Sequence, residues 1–273
     1  MAEIAMLFDA TLCTACRGCQ AACKQWNEND EVIPTVENGV DASNWGSYEN
    51  PPELSAHTWV RIKFTEVERN GKVDWLFTRH ACMHCTEASC EQVCPTGAIS
   101  HQDGRVIIDQ EWCIGCGYCV QACPFHVPHK DEELGVARKC TLCTTPGLNR
   151  LDEGWEPACV KTCPTNALII GDRSQLIAEG RRRVQALVDK GHSNAYLYGA
   201  KELSGLNSLY VLDDSPEVYG LPESPRVAMS NAAGKWLSGI IAAGVIAALP
   251  FWLLFKRKKE IEAGQQSGEG GTR

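Results

Sequence analysis

Sixteen cysteines carry the chemistry of this 273-residue chain, and all of them fall into four groups of four. The first is Cys13, Cys16, Cys19 and Cys23; the second is Cys82, Cys85, Cys90 and Cys94. The third is Cys113, Cys116, Cys119 and Cys123; the fourth is Cys140, Cys143, Cys159 and Cys163. The third group is an unmodified C-x2-C-x2-C-x3-C-P run. The first shares its cysteine spacing but has Lys24 in place of the proline; the second widens one gap to four residues, and the fourth inserts fifteen. In such a run three thiolates hold three corners of one 4Fe–4S cubane, and the fourth reaches the other cluster of a pair. Two intervening residues let the loop wrap a cube with its N–H groups toward sulfur. Three turn the last thiolate away, and the proline removes one N–H and fixes the exit.

Zinc and disulfides are the rival uses of such residues. Two C-x2-C pairs make a zinc ribbon, and the fourth group taken alone resembles one. Four complete groups, three ending in Cys-Pro, argue for clusters instead. Three thiols within one turn likewise suit a cluster better than separate bridges. Cysteine content, about 6% of the chain, is below that of a disulfide scaffold and far above ordinary usage. The net charge of −8 gives a nucleic-acid role no electrostatic support.

The elements that must position these loops read as strand, cysteine loop, short helix and strand, the pattern of a bacterial ferredoxin. Apolar strands are expected at 4–8, 106–108 and 167–170, with turns at Pro95-Thr96-Gly97 and Pro164-Thr165-Asn166. Residues 59–79 alternate and are split by Asn70-Gly71, a hairpin signal. Residues 174–190 read as an amphipathic helix with Arg181, Arg182 and Arg183 on or near its polar side. Residues 212–226, rich in Pro, Asp and Glu, read as an extended strap.

Residues 236–255 form an uncharged run of twenty, with Trp236 and Trp252 near its ends. As a helix it spans roughly 30 Å, the thickness of a bilayer core. Lys256, Arg257, Lys258 and Lys259 follow at once, so the positive-inside rule places the C-terminus in the cytoplasm and the cysteine-rich body outside. The span has no histidine for an axial haem ligand; Gly239, Ala243 and Ala247 give it a small-residue face suited to close packing. Residues 1–8 lack the basic and apolar regions of a secretory signal, so export would depend on another chain.

With these residues in place, the chain resembles the four-cluster iron–sulfur subunits of the molybdopterin oxidoreductase superfamily, and most closely the β subunits of respiratory formate dehydrogenase. The stretches that carry the resemblance are TLCTACRGCQAACKQWNE (11–28), TWVRIKFTEVERNGKVDWLFTRHACMHC (58–85), CEQVCPTGAI (90–99), ARKCTLC (137–143) and GLNSLYVL (205–212), with the C-terminal span. The resemblance implies an α+β fold of two bacterial-ferredoxin-like modules, each binding two 4Fe–4S clusters, with an inserted β-hairpin and a single C-terminal transmembrane helix. The outer module would comprise 1–28 and 137–172, and the inner module 80–130. The hairpin would occupy 53–79, a helix and strap 173–229, the membrane helix 230–256, and a basic, disordered tail 257–273.

The resemblance also implies the ligand sets. Cluster one would use Cys13, Cys16, Cys19 and Cys163; cluster two Cys140, Cys143, Cys159 and Cys23. Cluster three would use Cys82, Cys85, Cys90 and Cys123; cluster four Cys113, Cys116, Cys119 and Cys94. With sixteen cysteine ligands, no three-iron or Rieske centre is expected. The chain would be a non-catalytic electron-transfer subunit, holding neither haem nor molybdopterin. Its partners would be a catalytic molybdenum or tungsten α subunit carrying the twin-arginine signal, and a membrane cytochrome b γ subunit that reduces quinone. A hydrogenase or a polysulfide or thiosulfate reductase is the alternative circuit. The linker at 29–52 is idiosyncratic.

Arg138 and Lys139 precede Cys140 and would place positive charge beside an anionic cluster, raising its potential; simple solvation is the other reading. His80, His84, His101, His126 and His129 are either hydrogen-bond donors to cluster sulfur or ordinary loop histidines. Trp26 either shields a cluster or simply packs.

Overall fold

The computed structural model describes residues 3–29, 49–69, 71–228, 230 and 232–268. Most of the 29–52 linker, Asn70 of the hairpin turn and the last five residues lie outside the described residues. The chain divides into two compact units, Met1–Ala228 and Met229–Arg273.

In the first unit, strand β1 (Ile4–Asp9) runs straight into the first cysteine loop, and helix α1 (Gly18–Trp26) carries Cys19 and Cys23. The inserted hairpin follows as β2 (Val60–Arg69) and β3 (Lys72–Ala81), with Phe64 opposite Phe77 and Gly71 at φ 73° in the turn. The second group contributes helix α2 (Ser89–Gln92). A small hairpin, β4 (Ile99–Gln102) with β5 (Arg105–Ile108), leads to helix α3 (Tyr118–Ala122). The ribbon β6 (His129–Asp131) with β7 (Val136–Arg138) precedes the fourth group and its helix α4 (Ala158–Lys161). Strand β8 (Leu168–Asp172), helix α5 (Arg173–Asp189) and strands β9 (Tyr196–Tyr198) and β10 (Ser208–Leu212) complete the unit.

Four of these strands form one sheet in the order β8-β1-β10-β9, with β1 parallel to β10 and antiparallel to β8. Side chains of a strand alternate between faces. Accordingly Ala5, Leu7, Leu209 and Val211 pack with Leu176 of α5, while Met6, Phe8, Tyr210 and Leu212 join the core that contains Cys19, Cys23, Cys82, Cys140 and Cys159. The sheet is thus a wall with α5 on one side and cysteines on the other. Burying such side chains contributes on the order of 1.5–3 kcal/mol each, which fixes the register.

Residues 212–226, expected as an extended strap, are packed onto the core of the first unit. Tyr219 and Leu221 are buried in the main core. Thr78 Oγ1 donates to the Tyr219 carbonyl at 3.1 Å, and Tyr219 donates its hydroxyl to Asp213. Asp213 and Asp214 take the two arms of Arg69 at 3.0 and 2.7 Å. Asp213 and Asp214 of the strap are therefore counter-ions for Arg69 of the hairpin.

Helix α5 is capped by Asp172, which accepts from the N–H groups of Ser174 and Gln175. It is held to β1 by Arg183, whose Nη1 is 3.1 Å from Asp9 and whose Nε is 2.7 Å from Glu179. Hydrogen bonds from Arg182 and Arg183 hold the Glu179 carboxyl down to about 2, from an ordinary 4.5. A depressed value means that this contribution is complete above 4.5 and is lost as the pH falls through about 2. Hydrogen-exchange protection of α5 is therefore expected to fall across that acid window. Glu179→Gln should lower protection at neutral pH and flatten the acid dependence; an unchanged profile would count against the ion pairs.

In the second unit, helix α6 (Ala232–Gly268) contains the stretch Trp236–Lys258, which is long and apolar enough to cross a membrane, its most apolar 18-residue window having a mean hydropathy of 2.2. It does not end at the basic run, as the expected tail at 257–273 supposed; it continues to Gly268. The reason is in the sequence: residues 256–263 are nearly all good helix formers, with no Gly or Pro among them.

Candidate metal centres

Each cysteine group begins with a loop of one shape. The residue just before the second cysteine has positive φ in every case: Ala15 (52°), His84 (47°), Gly115 (62°) and Leu142 (55°). A left-handed conformation costs a non-glycine residue about 1–2 kcal/mol, so three of the four loops hold strained backbone. What they gain is orientation. The N–H groups of Ala15, His84 and Leu142 point back at Cys13 Sγ (3.4 Å), Cys82 Sγ (3.4 Å) and Cys140 Sγ (3.5 Å). Further N–H donors come from Ala137 to Cys113 Sγ at 3.3 Å and from Ala158 to Cys143 Sγ at 3.5 Å.

Gly115 is sterically required as well. A Cβ there would lie 1.9 Å from the Gly135 carbonyl oxygen, whereas one on Gly97, also at positive φ, would meet nothing within 4 Å. Gly115→Ala is expected to lower the iron content of the purified protein and to remove the same spectroscopic signal as Cys116→Ser. Gly97→Ala should leave iron content near wild type; equal iron loss in both variants would sink the steric account.

The tertiary structure gathers the thiols across groups. Cys13, Cys16 and Cys19 line one cavity with Cys163, beside Phe8, Ile62 and Leu168. Cys113, Cys116 and Cys119 line another with Cys94, beside Ile99 and Ala137. Cys23 lies among Cys140, Cys143 and Cys159, and Cys85 lies among Cys82, Cys90 and Cys123, close enough that each thiol's charge acts on the next. All sixteen cysteines are free.

This environment suits a large cationic guest. Burial first, then neighbouring thiolates, pushes the thiols up: Cys19 and Cys143 to about 12, Cys119 to about 11, and Cys23 well above its ordinary value. Burial and neighbouring cysteines likewise raise Cys85. Crowded, desolvated thiols do not ionise unless positive charge enters with them, as bound iron supplies. Among the described residues no three His, Cys, Asp or Glu side chains converge tightly enough to hold a single metal ion. Four free thiols per set, with backbone N–H groups aimed at sulfur, are the donor chemistry that an iron–sulfur cube takes.

The two basic residues before Cys140 point to different places. Arg138 bonds Asp131 at 3.1 Å and Asn29 at 2.9 Å and lies over the Trp59 ring. Lys139 is buried, its ammonium on the carbonyls of Val106 and Cys140, and its charge opposes the burial that raises Cys82, Cys90 and Cys123. Sequence reasoning overlooked a third cation, Arg79, which is fully buried and acts on Cys19, Cys23, Cys82 and Cys159. An arginine in an alternating hairpin gives no sign that it faces inward.

Among the histidines, His84 is fully buried and its Nδ1 accepts from the Val106 N–H at 3.1 Å; burial, then Lys139 and Arg79, hold it well below its ordinary value, hence neutral. His80 and His129 bond the carbonyls of Phe125 and Val127, and His101 bonds the carbonyl of Cys85. His126 has positive φ in the loop after Cys123. Trp26 donates to the Leu148 carbonyl at 2.8 Å and packs under Arg150.

Comparison with known proteins agrees with this geometry. Two family profiles, both described as 4Fe-4S dicluster domains, match residues 12–98 and 73–173. The nitrate-inducible formate dehydrogenase iron-sulfur subunit of Escherichia coli (strain K12) is 40% identical over 90% of this chain and 82% of its own length. The formate dehydrogenase-O iron-sulfur subunit of the same organism is 42% identical over 82% of this chain and 73% of its own length. The hydrogenase-2 operon protein HybA of Escherichia coli O157:H7 is 33% identical over 67% of this chain and 56% of its own length. With most of its length shared at such identity, and with its free thiols gathered in fours, the chain belongs to the family of formate dehydrogenase iron–sulfur subunits.

Proposed function

We propose that this chain conducts electrons released by formate oxidation, through four 4Fe–4S clusters, toward a membrane partner. The observation that carries the reading is the convergence of cysteines from distant groups, in a chain 40% identical over 90% of its length to a formate dehydrogenase iron–sulfur subunit. The ligand sets are Cys13, Cys16, Cys19 and Cys163; Cys23, Cys140, Cys143 and Cys159; Cys82, Cys85, Cys90 and Cys123; and Cys94, Cys113, Cys116 and Cys119. The first two sets belong to the outer module (1–28 with 137–172), the last two to the inner module (80–130). Support comes from the cavities lined by the first and last sets and from the mutual proximity of the others.

When bound, such clusters accept and release one electron at a time. The chain's own residues hold them as thiolates, aim N–H groups at sulfur, and exclude water with the apolar side chains around Cys23, Cys82 and Cys159. Lys139 is placed to favour the reduced state of the set holding Cys82, Cys90 and Cys123. Arg138, paired with Asp131, has a smaller effect.

The donor is a catalytic molybdenum or tungsten subunit, and the acceptor a cytochrome b subunit that reduces quinone. Helix α6 crosses the membrane, with the basic run Lys256–Lys259 cytoplasmic and the cysteine-rich unit outside. A hydrogenase circuit is the second reading, favoured by the likeness to HybA; its lower identity and coverage rank it below formate.

The test is anaerobic EPR on the native detergent-solubilised complex. Reduced cluster signals that appear on formate and not on hydrogen are the expected result. A response to hydrogen alone moves the chain to the hydrogenase reading. Absence of cluster signals even with dithionite, in iron-replete protein, overturns the conductor reading.

A further inference from the structure

Arg79 differs from the other cations of the first unit. It lies on β3 opposite Ile62, is 1% exposed, and is among the largest fully buried side chains of the described residues. A buried guanidinium without an anionic partner is costly, so what neutralises it indicates what it is for. Among the described residues no carboxylate pairs with it. Burial opposes its charge, and the groups that act on it in the opposite direction are Cys159, Tyr210, Cys140 and Cys19. In turn its charge counters the raising effect of burial on Cys19, Cys23, Cys82 and Cys159.

Two more observations show that protein groups do not use up this side chain. Its Nε and Nη2 have no protein partner, although both are buried. Its backbone is pinned, because Tyr210 donates its hydroxyl to the Arg79 carbonyl at 2.8 Å. Lys139, by contrast, spends its ammonium on two backbone carbonyls. The thiols around Arg79 also belong to three sets: Cys19 to the first, Cys23, Cys140 and Cys159 to the second, and Cys82 to the third.

Resting on the conductor reading above, we propose that Arg79 is the shared counter-cation of these three sets, raising the reduction potential of the clusters they hold, most of all on Cys23, Cys140, Cys143 and Cys159. Reduction adds an electron to a group already anionic with thiolate. A fixed cation in a dry interior therefore stabilises the reduced state more than the oxidised one. The two unused donors act in the same direction, since hydrogen bonds to sulfur also raise the potential. Arg79 is a positioning residue in this scheme; it changes no bond.

The experiment is a redox-poised EPR titration of the purified complex carrying Arg79→Gln or Arg79→Lys, with iron content measured in parallel. Arg79→Gln is expected to lower the midpoint most for the signal that Cys140→Ser abolishes. The expected shift corresponds to at least a tenfold fall in the reduced-to-oxidised ratio at a fixed poise, about 59 mV for a one-electron couple. Arg79→Lys should keep most of the wild-type potential. Full iron with unshifted potentials in Arg79→Gln overturns the inference and leaves the conductor reading standing, whereas wild-type complex without clusters would sink both. If Arg79→Gln does not load iron, wild-type complex labelled with guanidino-15N arginine decides. A 15N hyperfine coupling on the reduced signal, lost in Arg79→Lys, supports the inference, and no coupling in wild type overturns it.

Discussion

Replacing Cys23 with serine is expected to abolish the signal that Cys140→Ser abolishes, not the one lost with Cys13→Ser. Cys23 stands in the first sequence group, four residues from Cys19, yet its thiol lies among Cys140, Cys143 and Cys159. Cys163, at the end of the fourth group, shares a cavity with Cys13, Cys16 and Cys19. Cys163→Ser and Cys13→Ser should therefore form the second matching pair. Each substitution removes one of four ligands and leaves buried thiols without their cation, so loss of roughly a quarter of the iron is the expected size of effect. Iron analysis with EPR of the four variants checks this. If Cys23→Ser instead matched Cys13→Ser, the assignment across groups would be wrong.

Truncation after Ala228 is the second change with a large expected effect. The most apolar 18-residue window of Trp236–Lys258 has a mean hydropathy of 2.2 and none of it is buried within the chain. The first unit has its own core, built on residues from Met6 to Leu221. The truncated chain should therefore fold, load iron and move from the carbonate-washed membrane pellet to the soluble fraction. Full-length chain should stay in the pellet. A milder version is Ala243→Arg, which places a charge near the middle of the span. It costs roughly 2.5–3.5 kcal/mol of insertion free energy, or about a hundredfold in the insertion equilibrium. Truncated protein that stays in washed membranes would show that something other than α6 anchors it.

Much of the fold was legible in the sequence because the signals are local. The strands at 4–8, 106–108 and 167–170 appear as β1, β5 and β8, within one or two residues at each end. The alternation around Asn70-Gly71 became the hairpin β2–β3, running on to Ala81, and the amphipathic stretch became α5. The apolar run is part of α6. Strand β10 was not legible as the centre of a sheet: the stretch 205–212 stood out only as a resemblance, since parallel pairing with β1 joins segments about 200 residues apart. That the strap would be tied down was not legible, because acidic composition looks the same whether solvated or paired with Arg69.

The sequence by itself determined which residues bear the chemistry, the shape of each cysteine loop, and the presence of a span able to cross a membrane. These follow from spacing and periodicity over a few residues, and short-range geometry is nearly independent of the rest of the chain. Only the tertiary structure decided which thiols stand together, that Lys139 faces inward while Arg138 is taken by Asp131, and that Arg79 is buried where its charge acts on thiols of three groups. Those outcomes depend on contacts such as the one from Tyr210 to Arg79, 131 residues apart in sequence. A charge in a sequence carries no mark of the dielectric it will meet, and in this protein that dielectric is created by packing the sheet, the hairpin and the cysteine loops into one core.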